Sequence, residues 1–286
     1  MIATKLLDAA LAAKTESATF NTLIGKDANG LPVNITAANA AQAIGGILSP
    51  WARKTSFNLA TLKQAVSAGS LEKYGLKVGD QTTINGHTYV IAGLNPMRGA
   101  TTPYCINANH VGLIVIPHTT TAWNASGNTS TGAGGRGAGY KNCDLQYYLT
   151  NTVLPMCNTD LGSANILSHY CLLGNTINAS GTNRMGAASG CTSGWEWVPD
   201  IKIVALSEMQ VYGGTVWSSS GFDTGEACQQ LEVFQKYKNT AIFGSEYPWL
   251  RDVVSASNAA LSYNSGAAGY STVGGASCVA GLIMFN

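Results

Sequence analysis

Charged residues are scarce in this sequence. Asp, Glu, Lys and Arg make up 11% of its 286 residues, against about 25% in an average globular chain. The formal net charge is +1, so the basic surface with which proteins bind DNA or RNA is missing. Glycine (33 residues) and small neutral polar residues take the place of charge. This composition is typical of secreted, cell-surface and virion proteins, in which neighbouring chains cover much of the surface.

Long apolar runs are also missing, which excludes a membrane-spanning helix. No stretch holds the roughly 20 consecutive apolar residues that a bilayer requires. The opening stretch MIATKLLDAALAAK is similar to a signal peptide, but Asp8 interrupts its apolar run. We therefore predict that this stretch is a short amphipathic helix of the mature protein. We also predict that the protein does not insert into a membrane.

The cysteines and histidines show no metal-binding pattern. The seven cysteines are an odd number without any CxxC spacing, which argues against a disulfide framework and against a zinc site. The histidines His87, His110, His118 and His169 show neither i,i+4 spacing nor an HExxH pattern. His110 and His118 bracket one predicted strand and so would lie about 25 Å apart, too far to share a metal. We predict buried free thiols, synthesis in a reducing cytoplasm, and neither metal nor cofactor.

Residues 1–75 are predicted to form a module of their own. In TFNTLIGKDANGLPVNIT, two β-prone runs flank Asn29-Gly30, a strong signal for a hairpin turn. Thr36 can cap a following small helix, AANAAQAIGGIL. The apolar spacing predicts one more helix over about residues 58–74. Because the segment is too small to bury much core alone, we interpret it as an attachment or packing module.

From residue 76 the pattern changes to β-structure. LKVGDQTTINGHTYVIAGLN predicts two strands around an Asn85-Gly86 turn, and HVGLIVIPH predicts a strand buried on both faces. CDLQYYLTNTVLPM predicts a helix that Pro155 ends, and WEWVPDIKIVALSEMQVYGG predicts a strand that closes in a turn. SCVAGLIMFN predicts the last strand. This order indicates an α+β fold with a mostly antiparallel sheet.

Five blocks of this region occur in a fixed order. They are the GLKVGDQTTINGHTYVIAGLN hairpin, the Trp123-Asn124 loop, the DLQYYLTNTVLP helix, SEMQVYG, and WLRD with its glycine- and serine-rich tail. Together they resemble a domain family of undefined function found in phage and gut-bacterial proteins, over about residues 75–286. The family is similar to a distant variant of the C-type-lectin-like fold, which phages use for exposed, host-facing modules. The resemblance implies such a domain, with few helices and long loops, over residues 76–286.

The N-terminal segment carries a second, shorter resemblance. TLIGKDANGLPVNITAANAAQAIGG is similar to leader modules on virion proteins of phages that infect Bacteroidales bacteria. The two resemblances imply a virion structural protein, made in the bacterial host cytoplasm: a head-fibre, capsid-decoration or tail-fibre component. Residues 1–75 would attach it to other virion proteins of the capsid or tail. As in many phage fibres, we expect a homotrimer.

The stretch IVALSEMQVYGG holds one carboxylate, Glu208, between apolar residues. In an enzyme such a residue is a candidate general acid, whereas in a structural domain it would hold neighbouring backbone in place. The resemblance puts it beside the WLRD block, which implies that Glu208 accepts backbone N–H bonds or pairs with Arg251. Because an isolated buried carboxylate costs several kcal/mol, we favour this structural role.

Other catalytic patterns are weak. Asp223, Glu226 and Glu232 lie in FDTGEACQQLEVF, where acidic residues are favoured by the dipole of the helix that begins there. A paired-carboxylate mechanism would need two acids flanking a cleft. No GxSxG elbow occurs to present a serine nucleophile. We therefore predict that the protein is not an enzyme, and a glycan hydrolase is the least favoured alternative.

Aromatic residues are concentrated in the loop-rich C-terminal half. The candidates for ligand contact are Trp217, Trp249, Tyr263 and Tyr270. Aromatic faces rimmed by Asn, Ser and Thr can hold sugar rings by stacking, yet the same residues also fill cores, burying roughly 150–250 Å² each. The alternative function is accordingly a receptor-binding adhesin for host surface glycan.

Overall fold

The computed structural model divides the chain into two compact units, Met1–Ala52 and Arg53–Asn286. The residues it describes are 22–26, 32–36, 53, 55–98, 106–125, 139–174, 195–214, 216–217, 230–255 and 257–286. The units divide after Ala52, nearer the N-terminus than the boundary that the sequence predicted after residue 75. The helix predicted over residues 58–74 therefore belongs to the larger unit.

The described part of the smaller unit is one hairpin. Strands β1 (Thr22–Lys26) and β2 (Pro32–Thr36) pair antiparallel along their whole length. The two predicted strands are confirmed. The Asn29-Gly30 turn between them, and the helices predicted on either side, lie outside the described residues.

The larger unit alternates short strands with short helices. Its strands are β3 (Gln81–Ile84), β4 (His87–Leu94), β5 (Val111–Ile116), β6 (Thr120–Ala122), β7 (Ile166–Leu167), β8 (His169–Gly174), β9 (Trp195–Ile201), β10 (Val204–Ala205), β11 (Trp249–Val253), β12 (Asn258–Ser262), β13 (Ala268–Thr272), β14 (Ala276–Cys278) and β15 (Gly281–Phe285). Its α-helices are α1 (Leu59–Ser67), α2 (Asp144–Tyr148), α3 (Leu154–Cys157), α4 (Glu208–Tyr212), α5 (Glu232–Lys236) and α6 (Asn239–Phe243), with π-helical segments at Leu149–Val153 and Asn158–Gly162 and 3₁₀ turns at Glu72–Tyr74, Tyr140–Asn142 and Ser163–Asn165.

The central sheet has the order β10-β15-β5-β4-β3, and β7 also pairs with β15. Every pairing in it is antiparallel. Strand β5 is buried along its whole length, which confirms the prediction made from HVGLIVIPH. Strand β15 is also buried along its whole length. The other described strands of the unit form three smaller antiparallel sheets, β11-β12-β13, β14-β6 and β8-β9. The α+β class with mostly antiparallel strands is thus confirmed.

The turn between β3 and β4 has the predicted form. Ile84 pairs with His87, which leaves Asn85 and Gly86 as a two-residue loop with φ values of 50° and 87°. Such turns require positive φ at both positions, which asparagine and glycine adopt at least cost. The local sequence is therefore sufficient to set this hairpin and its register.

Helix α1 is shorter than predicted but packs into the main core. The Asn58 side chain caps it by accepting a hydrogen bond from the amide of Ala60 at 2.7 Å. It ends at Ser67 because Gly69, with φ of 65°, turns the chain away. Leu62, Ala65 and Val66 are buried in the same hydrophobic cluster as the central sheet, so this helix cannot belong to a separate N-terminal module.

The sequence predicted that the helix beginning at Asp144 would end at Pro155. In the structure the helical chain continues past this residue. The chain continues through the π segment Leu149–Val153, then helix α3, then a second π segment, Asn158–Gly162. Pro155 occupies the first turn of α3, where a missing N–H costs little.

The stretch SEMQVYGG is a helix, not the predicted strand end. After β10, Ser207 caps α4: its hydroxyl accepts from the amide of Gln210 at 3.1 Å, and the Gln210 side chain accepts from the amide of Ser207 at 3.0 Å. Gly213, with φ of 77°, ends the helix. This reciprocal pair is a capping box, which overrides the β-prone residues that precede it.

Candidate functional site

Four partly exposed aromatic side chains surround the hairpin of β12 and β13. Trp217 and Tyr270 are each 43% exposed, Tyr263 is 38% exposed and Tyr247 is 37% exposed. These four residues are named the aromatic cluster below. Three of them are among the predicted ligand-contact residues, and the tertiary structure adds Tyr247. Their exposure is compatible with ligand contact, which itself stays a prediction.

Trp249, the fourth predicted contact residue, lies in the core. Its side chain is only 1% exposed, and its indole Nε1 donates a hydrogen bond to the carbonyl oxygen of Thr121 at 3.0 Å. All five residues of β11, to which it belongs, are buried. A ligand could reach Trp249 only if the strand unfolded, so the structure corrects this prediction.

The aromatic cluster consists of two edge-to-face pairs. The ring centroids of Trp217 and Tyr270 lie 4.8 Å apart at an interplanar angle of 67°, and those of Tyr247 and Tyr263 lie 5.7 Å apart at 87°. The quadrupoles of aromatic rings favour this arrangement. Each pair therefore holds its exposed rings in a defined orientation.

The two pairs lie on opposite faces of the hairpin. A Cβ atom added to Gly269 would lie only 2.0 Å from the Tyr263 ring, so that ring covers the Gly269 side of β13. Tyr270 is the next residue, and successive residues of a strand point to opposite faces. Gly269 is thus required at this position because any side chain would displace Tyr263.

The hairpin that carries Tyr263 and Tyr270 has no charged residue, whereas Tyr247 follows Glu246, which contacts His118. Residues 253–286 contain no Asp, Glu, Lys, Arg or His. Asn264, Ser265, Ser271 and Thr272 are exposed on the same hairpin and offer amide and hydroxyl groups beside the rings. Apolar ring faces next to neutral donors and acceptors match the surface of a neutral sugar, which combines C–H faces with hydroxyl groups.

Glu208 holds the backbone that carries Trp217. The Glu208 carboxylate is fully buried and accepts hydrogen bonds from the amides of Val216 and Trp217, both at 3.0 Å. A second contact with the Trp217 amide measures 3.3 Å. A buried carboxylate needs such donors, and these donors in turn fix the position of Trp217. Glu208 therefore supports the aromatic cluster and lies out of reach of any ligand.

Arg251, the predicted partner of Glu208, is also buried. One of its guanidinium nitrogens, Nη1, lies 3.8 Å from Cys171 Sγ, and its amide donates to the carbonyl of Leu206 at 2.8 Å. The next residue, Asp252, accepts a hydrogen bond from the amide of Glu208 at 2.7 Å. The WLRD strand and the start of α4 are thus joined, while direct pairing of Glu208 with Arg251 stays a prediction.

Asp160 joins the second π segment to the β3–β4 hairpin. Its carboxylate accepts hydrogen bonds from Tyr89 Oη at 2.5 Å, His87 Nδ1 at 2.7 Å and Asn85 Nδ2 at 2.7 Å. Desolvation raises the pKa of Asp160, but these hydrogen bonds outweigh it and leave the pKa below its usual range. We interpret the cluster as a structural clasp that the hairpin turn and the π segment build together.

Thr88, His118 and Glu246 are connected in the order of a catalytic triad. Thr88 Oγ1 lies 3.0 Å from His118 Nε2, and His118 Nδ1 lies 2.5 Å from Glu246 Oε1. A hydrolytic triad also needs backbone N–H donors for the oxyanion. Thr88, however, lies inside β4 between β3 and β5, where the sheet ladder takes the neighbouring amides. The chain of hydrogen bonds is therefore better explained as a link between the central sheet and the loop before β11.

None of the four described cysteines forms a disulfide. Cys143, Cys157 and Cys171 are buried and Cys278 is half-buried. Burial raises the pKa of Cys143 and of Cys157 to about 12, so both are protonated and unreactive at neutral pH. Cys105, Cys191 and Cys228 lie outside the described residues.

The described part of the chain has neither a metal-binding cluster nor a membrane-spanning helix. It contains no group of three or more His, Cys, Asp or Glu side chains that could hold a metal ion. None of its helices is long and apolar enough to span a bilayer.

Comparisons with protein-family models, curated proteins and solved structures found no match to this chain. The resemblance to the phage domain family therefore stays a prediction.

Proposed function

We propose that the protein is a non-enzymatic phage virion component that displays the aromatic cluster to bind neutral glycan on the host surface. The observation that carries this proposal is the pair of exposed edge-to-face aromatic contacts on a hairpin without charge. Sugar rings stack on aromatic faces through their C–H groups, while their hydroxyls bond to neutral polar neighbours. The proposed ligand class is thus an uncharged oligosaccharide.

The supporting backbone favours binding over catalysis. Glu208, the most buried acidic residue near the cluster, uses its carboxylate to hold Val216 and Trp217. A side chain engaged in this way preorganises a binding surface, which lowers the entropy lost when a ligand binds. The same engagement leaves the carboxylate no position from which to protonate a glycosidic oxygen.

The proposal includes a C-type-lectin-like arrangement of the larger unit. It is supported by the position of β15, the last strand, inside the central sheet between β10 and β5. The loop-rich half, with the small sheet β11-β12-β13, then carries the exposed side chains. Within the smaller unit, we propose that the β1–β2 hairpin belongs to a module that attaches the protein to other virion proteins.

The test is glycan binding by the full-length protein and by two variants. An array of neutral and acidic glycans would identify a ligand, and calorimetry would then measure its affinity. We expect Trp217→Ala to weaken binding at least tenfold, equivalent to about 1.4 kcal/mol, without lowering the melting temperature. Tyr147→Ala is the matched control, because Tyr147 is 50% exposed but lies on α2, outside the aromatic cluster.

The outcomes separate the proposal from its alternatives. Equal losses in Trp217→Ala and Tyr147→Ala would indicate nonspecific adhesion, and an array without any signal would refute glycan binding. Release of reducing ends from any saccharide, abolished in Glu208→Gln with the fold intact, would identify a hydrolase instead. Absence of the chain from purified phage particles would refute the virion assignment.

A further inference from the structure

Strand β13 lies at the edge of its sheet. The order β11-β12-β13 leaves it with a single neighbour among the described residues. Tyr263 and Val273 donate backbone hydrogen bonds to Ala267 and Ser257, just beyond the two ends of the paired segment. Bonded pairs alternate in an antiparallel ladder, so Gly269 and Ser271 bond to β12. The N–H and C=O groups of Ala268, Tyr270 and Thr272 consequently point away from the sheet.

The sequence of β13 itself carries none of the residues that usually protect an edge strand against pairing. Natural edge strands are blunted by lysine, proline, bulges or inward-pointing charges. Strand β13, with the sequence AGYST, contains none of these residues, and its pairing with β12 has no register shift. Tyr270, Ser271 and Thr272 are exposed. Among the described residues, the outward N–H and C=O groups of Ala268 and Tyr270 are therefore open to another strand. The Thr272 carbonyl already accepts from the amide of Gly275 at 3.0 Å and would use its second lone pair.

We propose that β13 pairs antiparallel with β13 of a second copy of this chain, about a two-fold axis at Tyr270. In this register Tyr270 faces Tyr270 of the copy, and Ala268 faces Thr272. The edge is self-complementary, because each outward N–H meets an outward C=O of the copy. Two identical edges without charge also meet without electrostatic repulsion, which a charged edge would not allow.

The pairing would also enlarge the binding surface. Directly opposed residues of an antiparallel pair point to the same face, so the two Tyr270 rings would lie side by side. With the two Trp217 rings they would form a row of four aromatic side chains across the axis. This consequence rests on the proposed function, whereas the pairing of the strands does not.

Cross-linking of the full chain tests the register. Opposed residues of a bonded pair have Cα atoms about 5.5 Å apart, within the roughly 4.4–6.8 Å that a disulfide spans. Tyr270→Cys should therefore form a covalent dimer under mild oxidation by an aromatic disulfide reagent. Ser271→Cys is the matched control: it is also exposed, but it would face Gly269, and its own copy would lie about 7–8 Å away.

We expect a strong dimer band on a non-reducing gel for Tyr270→Cys and only background for Ser271→Cys and for wild type. Equal bands for both variants, or none for either, would overturn the pairing. If Tyr270→Cys does not fold, Ala268→Cys mixed with Thr272→Cys should cross-link only in the mixture. A cross-link in a protein that binds no glycan would refute the proposed function and leave the pairing standing. Glycan binding without the cross-link would refute the pairing and leave the proposed function standing.

Discussion

Replacing Glu208 by glutamine removes a negative charge while keeping the size of the side chain. In the folded protein the carboxylate accepts from two amides, those of Val216 and Trp217. Glutamine can accept through its single oxygen, but it turns an NH₂ group toward the second amide. One backbone donor then loses its acceptor in a partly buried position.

The expected cost follows from these contacts. Hydrogen bonds to charged groups contribute about 1.5–3 kcal/mol each, and a buried donor without an acceptor costs about 1–3 kcal/mol. For Glu208→Gln we therefore expect a loss of roughly 2–4 kcal/mol of unfolding free energy. For a unit of the size of Arg53–Asn286, this lowers the melting temperature by roughly 5–15 °C.

Differential scanning calorimetry measures the shift, and tryptophan fluorescence and glycan affinity report on the position of Trp217. Glu72→Gln is the control, because Glu72 is exposed on a 3₁₀ turn far along the chain from the aromatic cluster. We expect Glu208→Gln to bind glycan more weakly because Trp217 is no longer held. A melting temperature within 2 °C of wild type, where about 2 °C corresponds to under 1 kcal/mol, would refute the supporting role of Glu208.

Two further substitutions test other parts of the structure. Because its hydrogen bonds lower the pKa of Asp160, its contribution to stability is present above about pH 4 and is lost as the pH falls through the lowered value. Asp160→Asn should reduce stability at pH 7 and flatten the acid side of the melting curve against pH; a curve like that of the exposed control Asp200→Asn would contradict the clasp. Gly269→Ala should displace the ring of Tyr263, separate it from Tyr247 and increase its solvent exposure, as seen by NMR or iodination. An unchanged Tyr263 signal would show that the ring does not cover Gly269.

Local sequence signals predicted much of the central sheet. The Asn85-Gly86 turn and the apolar run of β5 depend on neighbouring residues only, and both were correctly anticipated. Ser207 and Gln210 also carried a readable signal, the capping box of α4, but the β-prone residues before it concealed this signal. The prediction that Pro155 ends a helix was wrong. The rule applies to regular α-helices, and here a π segment precedes Pro155.

The candidate site was only partly predictable. Trp217 and Trp249 have the same side chain in similar loop-rich sequence, yet one is 43% exposed and the other 1% exposed. Trp249 is buried because all of β11 lies in the core, where its indole donates to the carbonyl of Thr121, far away in the chain. No periodicity within either segment contains that information.

The sequence by itself determined what depends on composition and on near neighbours: the scarcity of charge, the Asn85-Gly86 turn and the buried central strands. Only the tertiary structure decided which groups meet. Glu208 finds its donors at Val216 and Trp217, and Tyr263 lies over Gly269, because packing and strand register bring these residues together. A shift of one residue in the register of β12 and β13 would exchange the two faces of each strand.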